Sequence, residues 1–138
     1  MSLLLDTNVC IDVLRGNPGV IARFQEHSPH ELILSVVTEF ELLQGTGRAP
    51  VTYRAAEWRK VNAFLAQFKM IPFDSQCARL AAEINAGLLN AGTPVGVLDV
   101  YIAATALRLG VPVVTSNSRD FSRIKDLAVI DWRNAGDH

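Results

Sequence analysis

Long apolar runs are absent from this 138-residue sequence. None approaches the roughly 20 residues that a membrane-spanning helix needs. No basic stretch precedes Leu3-Leu4-Leu5, so no signal peptide is expected. Cysteine is scarce: Cys10 and Cys77 have no spacing that suggests a zinc site or a disulfide framework. Both fall in apolar helical patterns and read as small core residues, which points to a reducing cytoplasm. Neither sign of charge dominates, with 13 Lys+Arg against 14 Asp+Glu and a net charge of −1. That balance argues against a surface devoted to polyanions, but not against a local nucleic-acid site built around metal ions. Repeats, linkers and low-complexity stretches are also missing, so residues 1–138 are expected to form one domain.

Apolar residues are plentiful, at 49%, and suffice for a sizeable core. Leu3-Leu4-Leu5 reads as a buried strand, followed by a helix over Val9 to Leu14 with Gly16 as its stop. Pro18 suits the first turn of a second helix to about His27. Leu32-Ile33-Leu34 is the second strand. Thr38 and Glu41 form a T-x-x-E pattern, which predicts a capping box for the next helix. Its apolar stripe is Val36, Val37, Phe40 and Leu43, and the chain breaks over 45–50. A long helix is expected over Thr52 to Phe68, with Ala55, Trp58, Val61, Phe64, Leu65 and Phe68 turned to the core. Met70 to Phe73 is a third strand, and Asp74 caps a helix to about Asn90. A further helix runs from Val97 to Gly110, then a strand over Val111 to Thr115 and an edge strand over Ala128 to Asp131. Short apolar strands alternating with helices predict an α/β fold: a mostly parallel central sheet of four to five strands with helices on both faces.

Acids follow these strands. In open parallel sheets, ligands bind beyond the carboxyl ends of the strands. Asp6 directly follows strand one, Ser35 strand two, and Glu41 lies on the helix after it. Thr115, Asn117 and Asp120 follow strand four, and Asp99 opens an otherwise apolar helix. Each acid alone reads as a helix cap, a first-turn acid or a solvated charge; together they read as one site. Glu39 and Glu41 flank the same stripe, and periodicity does not choose between them. Clustered carboxylates repel until a cation arrives, and an all-oxygen site suits Mg²⁺ or Mn²⁺. Asp12, on the first helix, reads as a solvated charge.

The segments Leu5-Asp6-Thr7-Asn8, Ser35 through Gly45, Asp99 through Ala104 and Thr115 through Phe121 resemble the PIN domain. In order and spacing the chain is similar to VapC, the toxin of bacterial and archaeal VapBC toxin–antitoxin pairs. The resemblance implies a PIN-like α/β/α sandwich and a Mg²⁺- or Mn²⁺-dependent endoribonuclease that cleaves RNA phosphodiester bonds by metal-activated water. Its four acids match Asp6, Glu41, Asp99 and Asp120, as metal ligands and catalytic residues. The E-L-x-x-G register selects Glu41 over Glu39. Thr7, Asn8, Ser35, Thr115 and Asn117 are supporting polar residues. The resemblance also implies a homodimer and a VapB antitoxin whose tail covers the acidic groove. Arg119, Arg123 and Lys125 lie near the site and are candidates for RNA phosphate contacts, which position a strand without reading its sequence.

Two other readings compete. A receiver-like regulatory module also gathers acids at strand ends, but it needs paired early acids and a lysine just after a late strand. Here the early pair is absent, and Lys125 lies about ten residues past Thr115. A PIN-like scaffold that binds RNA without cutting it would have no need of the intact acid set.

Overall fold

The strands are short and apolar because both faces of the sheet are covered. In the computed structural model, which describes residues 1–133, five strands form: β1 (Leu3–Leu5), β2 (Leu32–Ser35), β3 (Lys69–Ile71), β4 (Val113–Thr115) and β5 (Val129–Asp131). The last five residues of the expected domain, 134–138, lie outside the described residues. All four pairings are parallel, in the order β3-β2-β1-β4-β5. The chain therefore builds outward from β1 in one direction, then crosses to β4 and builds in the other. That reversal opens a crevice at the carboxyl ends of β1 and β4.

Alternation along each strand divides the core into two layers. Leu3 and Leu5 of β1, Leu32 and Leu34 of β2 and Val114 of β4 face one layer. Leu4, Ile33 and Val113 face the other. The first layer is covered by α1 (Thr7–Leu14), α2 (Pro18–Gln25) and α4 (Val51–Leu65), with Leu42 from α3 (Val36–Gly47). The second is covered by α5 (Ser75–Asn90), α6 (Val97–Leu109) and α7 (Ser118–Phe121). α6 buries residues all round its surface, as its composition demands, and ends on Gly110 in the left-handed region at φ 67°. Phe121, fully buried, pins the short α7 to this layer.

Several local expectations give way. α3 begins at Val36, because Ser35 is its N-cap and accepts the Val37 N–H; Thr38 is not the cap. Its buried positions are Val37, Thr38, Leu42 and Thr46, whereas Phe40 is exposed. The helix also runs through Gly45 and Gly47, and the break is confined to 48–50. Trp58 is exposed, so the α4 core face is Val61, Phe64 and Leu65, with Phe68 just beyond it. Pro72 and Pro112 offer no N–H, and strands β3 and β4 stop and start beside them.

Asp12 is not a solvated charge. It is 8% exposed and meets Arg133 in a two-pronged pair, Nη2 to Oδ1 at 2.7 Å and Nε to Oδ2 at 3.1 Å. The pair ties α1 to the chain just after β5. Arg133→Ala would strand a buried carboxylate, at a cost of about 1–2 kcal/mol given the half-exposed guanidinium. Urea unfolding should show that loss, and Asp12→Asn combined with Arg133→Ala should recover part of it.

Candidate active site

The crevice at the β1 and β4 ends holds Asp6. Its backbone N–H still donates to the Val114 carbonyl at 2.9 Å, so the carboxylate sits where the sheet ends. It is 1% exposed, and both oxygens are held. Oδ1 accepts the Val9 N–H at 2.8 Å, which makes Asp6 the N-cap of α1. Oδ2 accepts the Thr115 hydroxyl at 2.5 Å, and the Thr115 oxygen accepts the Asn117 N–H at 2.7 Å. Burial pushes the Asp6 carboxyl up to about 7, against the pull of these hydrogen bonds; Asp99 and Asp12 add smaller repulsions. The cap reading and the site reading of Asp6 thus describe one residue.

Glu41 sits one turn along the helix from Thr38. Its Oε1 accepts the Thr7 hydroxyl at 2.6 Å, and the Thr7 and Thr38 oxygens lie 3.0 Å apart. Asp99, on the first turn of α6, is half-buried. Desolvation raises its carboxyl to about 6, with further repulsion from Glu41 and Asp120. Asp120 lies on α7, where Oδ2 accepts the Asn117 side-chain amide at 3.0 Å and Oδ1 meets Arg123 at 3.5 Å. Asp99 thus links the other three acids: Glu41 and Asp120 raise it, and it raises Asp6.

Of the supporting residues, Thr7, Thr115 and Asn117 touch the acids directly. Ser35 is buried and its hydroxyl caps α3 instead. Asn8 is exposed on the first turn of α1. Arg123 pairs with Asp120, while Arg119 and Lys125 are exposed nearby. Thr38 was missed as a site residue. Its signal was present in T-x-x-E, since positions three apart share a helix face, but the pattern reads equally as a capping box.

Among the described residues, no three acids, histidines or cysteines close into a finished cation cage. Each carboxylate other than Asp99 takes a hydroxyl, amide or guanidinium partner instead. The donor set still fits a hard divalent cation: carboxylates, hydroxyls and an amide, all offering oxygen, two of the acids held above their ordinary range by burial and mutual repulsion.

Known proteins are similar to this chain in sequence and in fold. The tRNA(fMet)-specific endonuclease VapC of Salmonella typhimurium is 32% identical over 96% of this chain and 98% of its own. Ribonuclease VapC1 of Haemophilus influenzae strain R2866 is also 32% identical, with the same coverage. The fold matches the DNA-bound VapBC structure from Salmonella typhimurium at a TM-score of 0.87, with 32% identity over 96% of this chain and 98% of that one. FitAcB from Neisseria gonorrhoeae superimposes at a TM-score of 0.85, with 28% identity over 95% of this chain and 98% of that one. The PIN domain profile spans residues 3–127. With the family profile and the VapC relatives in agreement, the chain belongs to the PIN domain family, on its VapC branch.

Proposed function

We propose that this chain is a metal-dependent endoribonuclease, the toxin of a VapBC-type toxin–antitoxin pair, built as a single PIN domain over residues 1–138 and acting in the cytoplasm. The observation that carries the reading is Asp99: a half-buried carboxylate in the field of Glu41 and Asp120, itself repelling Asp6, with its own charge disfavoured. Such a group is poised for a cation. Asp6, Glu41, Asp99 and Asp120 would hold Mg²⁺ or Mn²⁺. The bound ion supplies Lewis acidity toward a phosphate and lowers the pKa of an attacking water.

The chain's own residues do the rest. Thr115 orients Asp6, Thr7 orients Glu41, and Asn117 orients Asp120. Arg123 already faces Asp120, and with Arg119 and Lys125 it offers cationic contacts for RNA phosphates. The VapC relatives are named as ribonucleases, and the VapBC structures pair such chains with an antitoxin. A VapB-type antitoxin bearing a basic side chain would complement the acids. Phe40, Val51, Tyr53 and Trp58, exposed on α3 and α4, supply apolar surface for such a partner or for a second copy in a homodimer. Buried, free Cys10 and Cys77 suit the cytoplasm.

The assay is cleavage of total cellular RNA by the purified chain, with tRNA resolved as its own fraction because the Salmonella relative is named for one. Cleavage should need Mg²⁺ or Mn²⁺ and stop with EDTA. Glu41→Gln should slow it by about a hundredfold or more, whereas Glu39→Gln should leave it intact. Metal-independent cleavage, or none, would sink the reading; loss with Glu39→Gln alone would move the second acid to Glu39.

A further inference from the structure

We infer that Thr38 is a positioning residue for Glu41, acting through Thr7; the inference rests on the ribonuclease reading of the same site. Counting the hydrogens fixes the direction of each bond. A hydroxyl donates one hydrogen and accepts two. Glu41, as a carboxylate, only accepts, so the Thr7 hydrogen goes to Glu41 Oε1 at 2.6 Å. Thr7 then has no hydrogen left for Thr38, whose oxygen lies 3.0 Å away. The shared hydrogen of that contact belongs to Thr38. The direction is Thr38 O–H to Thr7, and Thr7 O–H to Glu41.

Two further observations support this. Threonines inside helices ordinarily bond back to a carbonyl of their own helix. Thr46 does so to Leu43 at 2.7 Å, and Thr105 to Tyr101 at 2.9 Å. Thr38, fully buried on α3, reaches instead to the α1 threonine 31 residues away. The same design also recurs at Asp6. There the Asn117 N–H donates to the Thr115 oxygen, and the Thr115 hydroxyl donates to Asp6. In both cases a donor from a neighbouring residue fixes a threonine rotor, and the rotor aims its one hydrogen at a carboxylate. A glutamate has three side-chain torsions to order, and a half-buried Glu41 fixed before the cation arrives loses less on binding it.

Packing and positioning predict opposite rankings at residue 38. Thr38→Val keeps the volume and removes the hydroxyl; Thr38→Ser keeps the hydroxyl and leaves a methyl-sized gap. Calorimetric titration of each full chain with Mn²⁺, alongside RNA cleavage, separates the two. We expect Thr38→Val to bind Mn²⁺ about fivefold to tenfold more weakly, the loss of one ordinary hydrogen bond, with a matching fall in cleavage. Thr38→Ser should stay near the native values. Native affinity in Thr38→Val, or equal loss in Thr38→Ser, would overturn the inference and leave the ribonuclease reading standing. If Thr38→Val does not fold by circular dichroism, Thr38→Ser against Thr38→Ala, which differ by the hydroxyl alone, decides it in the same way. A native chain that neither binds Mn²⁺ nor cleaves RNA would overturn both.

Discussion

Asp99→Asn will lose RNA cleavage by about a hundredfold or more while melting, without metal at pH 8, no lower than the native chain. The two effects have one cause. Asp99 is desolvated at the start of α6 and faces Glu41 and Asp120, which raises its carboxyl from 3.8 to about 6. In the unfolded chain it ionises near 3.8. Folding therefore favours its protonated form, and that contribution is lost as pH rises from about 4 through 6. At pH 8 the full cost of the charge is present, and an amide of the same shape removes it. The advantage of Asn in metal-free melts should thus grow between pH 4 and pH 6 and then level off. With millimolar Mn²⁺ the order should reverse. An ion that binds only the native state stabilises it by RT ln(1 + [L]/Kd), and the variant's Kd is larger. Differential scanning calorimetry with EDTA and then with Mn²⁺ measures both. A lower metal-free melting temperature together with unimpaired cleavage would reduce Asp99 to an ordinary first-turn acid.

Mn²⁺ affinity will fall by about a hundredfold between pH 8 and pH 5.5, because protons compete with the ion at Asp6 and Asp99. Asp6 binds a proton below about 7 and Asp99 below about 6. Binding at pH 6.5 must then expel most of a proton from Asp6 and a fraction of one from Asp99. Titration calorimetry in buffers of different ionisation enthalpy counts them. Asp99→Asn should remove the smaller share and leave the larger. Metal-free stability should run the opposite way, higher near pH 5 than at pH 8, since both carboxyls are held protonated by the fold. A flat affinity profile would mean that neither acid meets the ion. These two effects exceed that of Arg133→Ala because they act on mutually repelling acids at the site rather than on an ion pair whose guanidinium is half-exposed.

What could be read from the sequence was whatever depends on neighbours along the chain. Leu3-Leu4-Leu5, a short continuous apolar run, already read as a buried strand. Asp74 before its helix and Gly110 after α6 marked element ends through local backbone chemistry, and the structure keeps both. The acids could be assigned to strand ends because strand ends were legible, and parallel α/β sheets put ligands there. Contacts across the chain were not legible. Asp12 resembles a surface charge until Arg133, 121 residues later, closes on it. Thr38 and Glu41 spell a capping box until Thr7, at the start of α1, bonds to both, while the actual cap, Ser35, carries no signal to distinguish it from a ligand. Phe40 and Trp58 match a helical stripe yet face outward, because which part of a stripe is covered depends on where the next helix packs. The choice between Glu39 and Glu41 shows the division most plainly. Helical periodicity placed them on opposite flanks of one stripe. The E-L-x-x-G register of the family resemblance selected Glu41; the packing of α3 against α1 sets it against the Thr7 hydroxyl and within the field of Asp99, a contact that depends on distance in space and not on spacing in sequence.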